Sequence, residues 1–116
     1  MHNFRQLQIW QEGMKIAKSV YLVLNSFPSS EKFGLISQIS RCSISVPSNI
    51  AEGSSRSSNK EFAHFLSISL GSLFELETQL QLSIDLNFLN QIGIEKLTLD
   101  IIQLQKKIST FKKTLL

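Results

Sequence analysis

From Ile94 to Leu115 apolar side chains fall at Ile94, Leu97, Ile101, Leu104, Ile108, Phe111 and Leu115, in unbroken steps of three and four. That period is the signature of an α-helix with one buried face, and it cannot bury the same residues as a strand, whose period is two. Three more stretches carry the same beat. In the first, Leu7, Trp10, Met14, Ala17, Tyr21 and Leu24 form one row, with Ile9, Ile16, Val20, Val23 and Phe27 beside it. Two adjoining rows make a face too wide for one partner, so this helix must touch at least two neighbours.

Pro28 ends the first pattern, and Ser29, Ser30 and Glu31 supply the hydroxyls and early carboxylate that suit a new helix start. The second row runs through Leu35 or Ile36, Ile39, Cys42 or Ser43, Val46 and Ile50, and Gly53 reads as its left-handed stop. After the polar loop SSRSSN, Ser58 and Glu61 form a capping box, which places a third helix start near Asn59. That helix carries Phe62, Leu66, Ser69, Leu73, Leu76 and Leu80, with Ala63, Leu70 and Ile84 alongside, and no proline to Asn87. Nearly 30 helical residues span about 43 Å at 1.5 Å each. Asn90 is a potential cap for the last helix. The spacing thus predicts helices over about 5–26, 31–52, 59–87 and 91–115. With short connections they form a single all-α domain over 1–116, an antiparallel up-down-up-down four-helix bundle.

Composition agrees with one core: 42% of the residues are hydrophobic, with only two prolines in 116. The net charge of +3, from 12 basic against 9 acidic residues, permits an anionic partner without requiring one. The N-terminus MHNFRQLQIW lacks a signal-peptide pattern, the lone Cys42 has no partner for a disulfide within the chain, and no apolar run reaches the roughly 20 residues of a bilayer span. The expectation is a soluble, cytoplasmic protein with no membrane partner.

Chemistry-bearing patterns are sparse. His2 sits at a terminus expected to fray, His64 follows core positions, and neither has a partner at metal-ligand spacing. Cys42 falls on an apolar row, where a buried thiol is expected. No glycine-rich phosphate loop is present, so the reading carries no cofactor, no metal and no catalytic residue. Glu77 lies on an apolar row and must be paired, with Arg41 and the amide of Asn49 as candidate partners. In VPSNIAEGSSR, Pro47 is expected to kink the second helix, beside a polar group of Ser48, Asn49 and Glu52 facing Glu77.

The run SVPSNIAEGSSRSSNKEFAHFLSISLGSLFELETQL, from Ser45 to Leu80, resembles the family of proteins encoded by intervening sequences in bacterial 23S ribosomal RNA genes. FPSSEKFGL from Phe27 to Leu35, together with Trp10 and Tyr21, extends the resemblance over nearly the whole chain. The resemblance implies an antiparallel four-helix bundle that assembles as a homopentameric ring. It attaches no catalytic activity. The similar accessory proteins of diversity-generating retroelements bind nucleic acid and a reverse transcriptase through a basic surface. Arg41 and Arg56 match positions usually basic in the family, whereas Ser40 departs from it, since an arginine commonly stands there. Pro47, Asn49, Glu52, Glu75 and Glu77 match motif positions whose implied duty is architectural.

The expected function is therefore that of a non-enzymatic homo-oligomer that binds RNA or DNA through phosphate contacts. Arg41, Arg56, Lys60, Lys106, Lys107, Lys112 and Lys113 are the candidate contacts. The alternative is a scaffold for protein–protein contacts, with itself or another polypeptide, that ignores nucleic acid.

Overall fold

The computed structural model describes residues 2–116, and the described residues form four α-helices and two short 3-10 turns, with no strand among them. The helices are α1 (Gln8–Leu24), α2 (Leu35–Ser54), α3 (Asn59–Asp85) and α4 (Glu95–Thr114). Each packs on its sequence neighbours, and α4 closes the bundle against α1, whereas the backbones of the diagonal pairs stay more than 8 Å apart. At α2/α3, Ser69 Oγ donates to the Val46 carbonyl at 2.8 Å while Cys42 Sγ lies 3.7 Å from Glu75, so one helix climbs as the other descends. At 27 residues α3 is about 40 Å long at 1.5 Å per residue, and it accounts for the 43 Å long axis of the molecule.

The apolar rows of α2, α3 and α4 go inside: Ile39, Val46 and Ile50, then Phe62, Leu66, Leu73, Leu76 and Leu80, then Ile94, Leu97, Ile101, Leu104 and Ile108 are all buried. On α1 the second row goes deepest, joined by Leu24 of the first. Ile9, Ile16, Val20 and Leu24 fill the core, while Met14 and Tyr21 remain 46% and 47% exposed. Gly13 completes the buried row, and a glycine contributes no apolar side chain by which a periodic count would mark it. A Cβ there would sit 3.5 Å from both Pro47 and Val46, so α1 and α2 already stand at contact distance at this point.

Helix ends depart from the periodic reading for local reasons. Backbone bonds from Glu31 to Pro28 and from Lys32 to Ser29 wind residues 29–31 into a 3-10 turn, and Gly34 with ψ −112 delays α2 until Leu35. Asn90 Oδ1 accepts from the Ile92 amide at 2.8 Å, capping a turn rather than α4, which begins at Glu95. The left-handed stop belongs to Asn87 with φ 66, after α3: its amide donates to Ile84 and that of Phe88 to Ser83, both at 2.9 Å. This is a Schellman motif, with asparagine at the position glycine usually takes.

Gly53 is no such stop. It is the next-to-last residue of α2, and no glycine has positive φ among the described residues. Its constraint is steric: an added Cβ would lie 2.7 Å from Phe65 Cβ and 2.9 Å from Phe62 Cδ1. Pro47 is likewise buried inside a helix that runs on to Ser54.

Candidate nucleic-acid interface

Small residues bring α2 and α3 together and thereby set one end of the bundle. Ser43 and Ser69 are fully buried, and a hydroxyl pair, Ser45 and Ser72, meets at 2.8 Å across the helices. Each buried hydroxyl finds a partner, as burial demands. The connection from Ser55 to Ser58 then turns the chain into α3, where the Ser58 hydroxyl accepts from the Glu61 amide at 3.1 Å. That cap fixes Lys60 in the first turn, exposed to solvent.

The N-terminal segment is tied to the same end. The His2 amide donates to the Ser54 carbonyl at 3.1 Å, and its ring sits 5.0 Å from Phe62 and 6.1 Å from Phe111. His2 is thus pinned by three helices rather than frayed. Asn3 Oδ1 accepts from the Arg5 amide at 3.2 Å, and the Arg5 guanidinium lies over the Phe4 ring at 4.5 Å.

These ties bring the start of α1, the end of α2, the start of α3 and the end of α4 to one end of the molecule. Arg5, Arg56, Lys60, Lys112 and Lys113 gather there against two acidic residues, Glu52 and Glu61. At the far end Lys32 stands among Glu31, Asp85 and Glu95, whereas the Lys96–Asp100 pair, 2.9 Å apart, lies beside Glu12 and Lys15 of α1. The ends lie far apart along a 43 Å axis, against a screening length of about 8–10 Å at physiological salt. An approaching anion therefore senses the two ends as separate fields.

The candidate cations are not equivalent. Arg56 Nη2 pairs with Glu52 Oε1 at 2.9 Å, and its guanidinium covers the Phe65 ring at 4.7 Å, so it is committed to closing the α2–α3 connection. Lys107 Nζ is held by Glu12 Oε1 at 2.7 Å, joining α4 to α1. Lys106 is exposed one turn and a half before Lys112, and Lys112 and Lys113 occupy the last turn of α4, where cations also offset the helix dipole. Arg41 is exposed but stands apart, 15 positions before Arg56 and about 20 Å away along the helix at 1.5 Å per residue. Arg5 belongs to the cluster although its position in the chain did not single it out. Its signal was topological: in an antiparallel bundle the N-terminus, the second connection and the C-terminus share an end.

The polar residues of the opening motif do not form one network around Glu77. Gln105 Nε2 on α4 donates to Glu77 Oε1 at 2.7 Å, replacing both Arg41 and Asn49 as the expected partner. Asn49 Nδ2 instead donates to the Ser45 carbonyl at 2.8 Å and the Ser45 hydroxyl at 2.9 Å. Glu52 serves Arg56, Glu75 faces the Cys42 thiol, and Ser48 lies exposed in a shallow groove beside Trp10, Met14 and Pro47. Burial pushes the Cys42 thiol above its ordinary value; a Gln79 hydrogen bond opposes this, and the Glu75 carboxylate adds to it. Among the described residues no three His, Cys, Asp or Glu side chains converge as a metal site, and no helix is long and apolar enough to cross a membrane.

Helix order, capping and packing define a four-helix-bundle protein with a cluster of five basic residues at one end. The family model for 23S rRNA-intervening sequence proteins matches residues 5–110, and the chain belongs to that family. Among the curated proteins none matches.

Proposed function

We propose that the protein is a non-enzymatic, homo-oligomeric, cytoplasmic nucleic-acid-binding protein, whose basic end holds the phosphates of RNA or DNA. The observation that carries this reading is the gathering of Arg5, Lys60, Lys112 and Lys113 at one end of the bundle. None of these four is paired with a carboxylate among the described residues. Phosphate contacts of this kind position a strand without reading its sequence. Assembly multiplies the effect: a ring of five copies at +3 each carries about +15, with every basic end repeated around the axis.

A charge-reversal pair tests the reading. Lys60→Glu with Lys112→Glu reverses charge at the basic end, and Lys32→Glu with Arg41→Glu makes the same change elsewhere. The first is expected to abolish binding to a random RNA pool and the second to weaken it only slightly. Equal effects of the two pairs would refute a localised interface.

A scaffold role has its own support. Trp10, Met14 and Ala17 of α1 face Ile44, Pro47 and Ala51 of α2 across a groove of about 350 Å³, and Ile44 is 47% exposed. An oligomer whose mass does not change on adding RNA would favour this second reading.

A further inference from the structure

Between the start of α1 and the end of α4 lies a cleft of about 530 Å³, within the roughly 300–1,000 Å³ range of small-ligand sites. Its deeper surface is apolar, formed by buried Ile9 and half-buried Leu7 and Phe111, and its edge carries the exposed Gln8, Lys106 and Thr110. Lys107, also at the edge, is held by Glu12 at 2.7 Å, which leaves Lys106 as the cation with no carboxylate partner among the described residues. An apolar floor under a rim with one free ammonium, an amide and a hydroxyl suits a ligand that is flat and weakly polar at one end and anionic at the other.

We propose that this cleft takes one unpaired nucleotide, at a strand end or in a loop. This deepens the nucleic-acid reading above and rests on it. The base lies on Leu7 and Phe111, the phosphate meets Lys106, and Gln8 and Thr110 supply hydrogen bonds to the base or ribose edge. A base inside a duplex is stacked and paired and cannot enter a recess; an unpaired one presents its face to aromatic and apolar side chains at little cost. The cleft therefore adds a preference for single strands that the basic end, acting on phosphates alone, does not have.

The test uses the full chain and a fluorescent 5′-phosphorylated RNA tetranucleotide carrying 4-thiouridine at its first position, read by anisotropy and by mapping photo-crosslinks. Expected are crosslinks within residues 6–9 or 106–111, competition by adenosine 5′-monophosphate but not by inorganic phosphate, and weaker competition by a duplex of the same sequence. Lys106→Ala removes one charged contact and is expected to weaken tetranucleotide binding about tenfold. Thr110→Trp fills the cleft from an exposed position and is expected to do so at least as strongly. Crosslinks elsewhere, equal competition by phosphate, or a duplex that competes as well as the single strand each overturns the proposal. If Thr110→Trp binds long RNA with unaltered salt dependence and the tetranucleotide with unaltered affinity, the cleft fails while the basic-end reading stands. Absence of binding to any nucleic acid sinks both.

Discussion

Replacing Gly53 by alanine places a methyl group 2.7 Å from Phe65 Cβ and 2.9 Å from Phe62 Cδ1. Two effects of opposite sign compete. Gly53 has no positive φ and is next to last in α2, so alanine gains at most about 1 kcal/mol of helix propensity. Against this, Phe65 Cβ is anchored to the α3 backbone and Phe62 is only 2% exposed, so neither contact can be relieved by a swinging side-chain tip. Overpacking of this kind costs about 1–3 kcal/mol, and here the helices themselves must part. The net expectation is a loss of up to about 2 kcal/mol, or as much as several degrees in melting temperature for a chain of this size. Gly71 is the internal control. It also lies within a helix, nothing stands within 4 Å of its added Cβ, and Gly71→Ala should stabilise by about 0.5–1 kcal/mol. Urea unfolding followed by circular dichroism measures both. A Gly53→Ala protein as stable as Gly71→Ala would refute the steric argument and return Gly53 to the role of a plain helix-end residue.

Other consequences follow from single contacts. Asn87 at φ 66 makes Asn87→Ala costly by about 1 kcal/mol and Asn87→Gly close to neutral, both readable in the same unfolding assay. Ser69→Ala removes the fully buried hydroxyl that donates to Val46 and should cost about 1 kcal/mol. Because burial raises the Cys42 thiol in the folded state, its contribution to stability is complete below the ordinary thiol value of 9.0 and is lost as pH rises through the higher folded value. Cys42→Ser should flatten that alkaline decline relative to the unaltered protein, and alkylation of Cys42 in the native state should be slow at neutral pH.

How much of this was legible beforehand depends on the kind of signal. The rows of α2, α3 and α4 could be read because their core faces consist of Leu, Ile, Val and Phe at helical spacing. The two rows of α1 cannot be ranked from spacing because Gly13 interrupts the deeper one, and a glycine that permits close approach looks like a gap in an apolar pattern. The start of α3 was legible through Ser58 and Glu61, a local device whose partners are three residues apart. The partner of Glu77 was not, since Gln105 lies 28 residues away and only the packing of α4 against α3 brings the two together. The same distinction governs the basic end. Lys60, Lys112 and Lys113 were nameable one by one, whereas their union with Arg5, and the isolation of Arg41, depend on which helix ends meet.

The salt dependence of RNA binding tests the central claim most directly. If Arg5, Lys60, Lys112 and Lys113 each neutralise one phosphate of a single strand, log affinity should fall against log salt with a slope of about −3, about 50-fold between 50 and 200 mM. Lys60→Ala with Lys113→Ala should roughly halve that slope, and Arg41→Ala should leave it unchanged. An affinity that stays flat across that range, or a slope that follows Arg41 instead, would contradict the account.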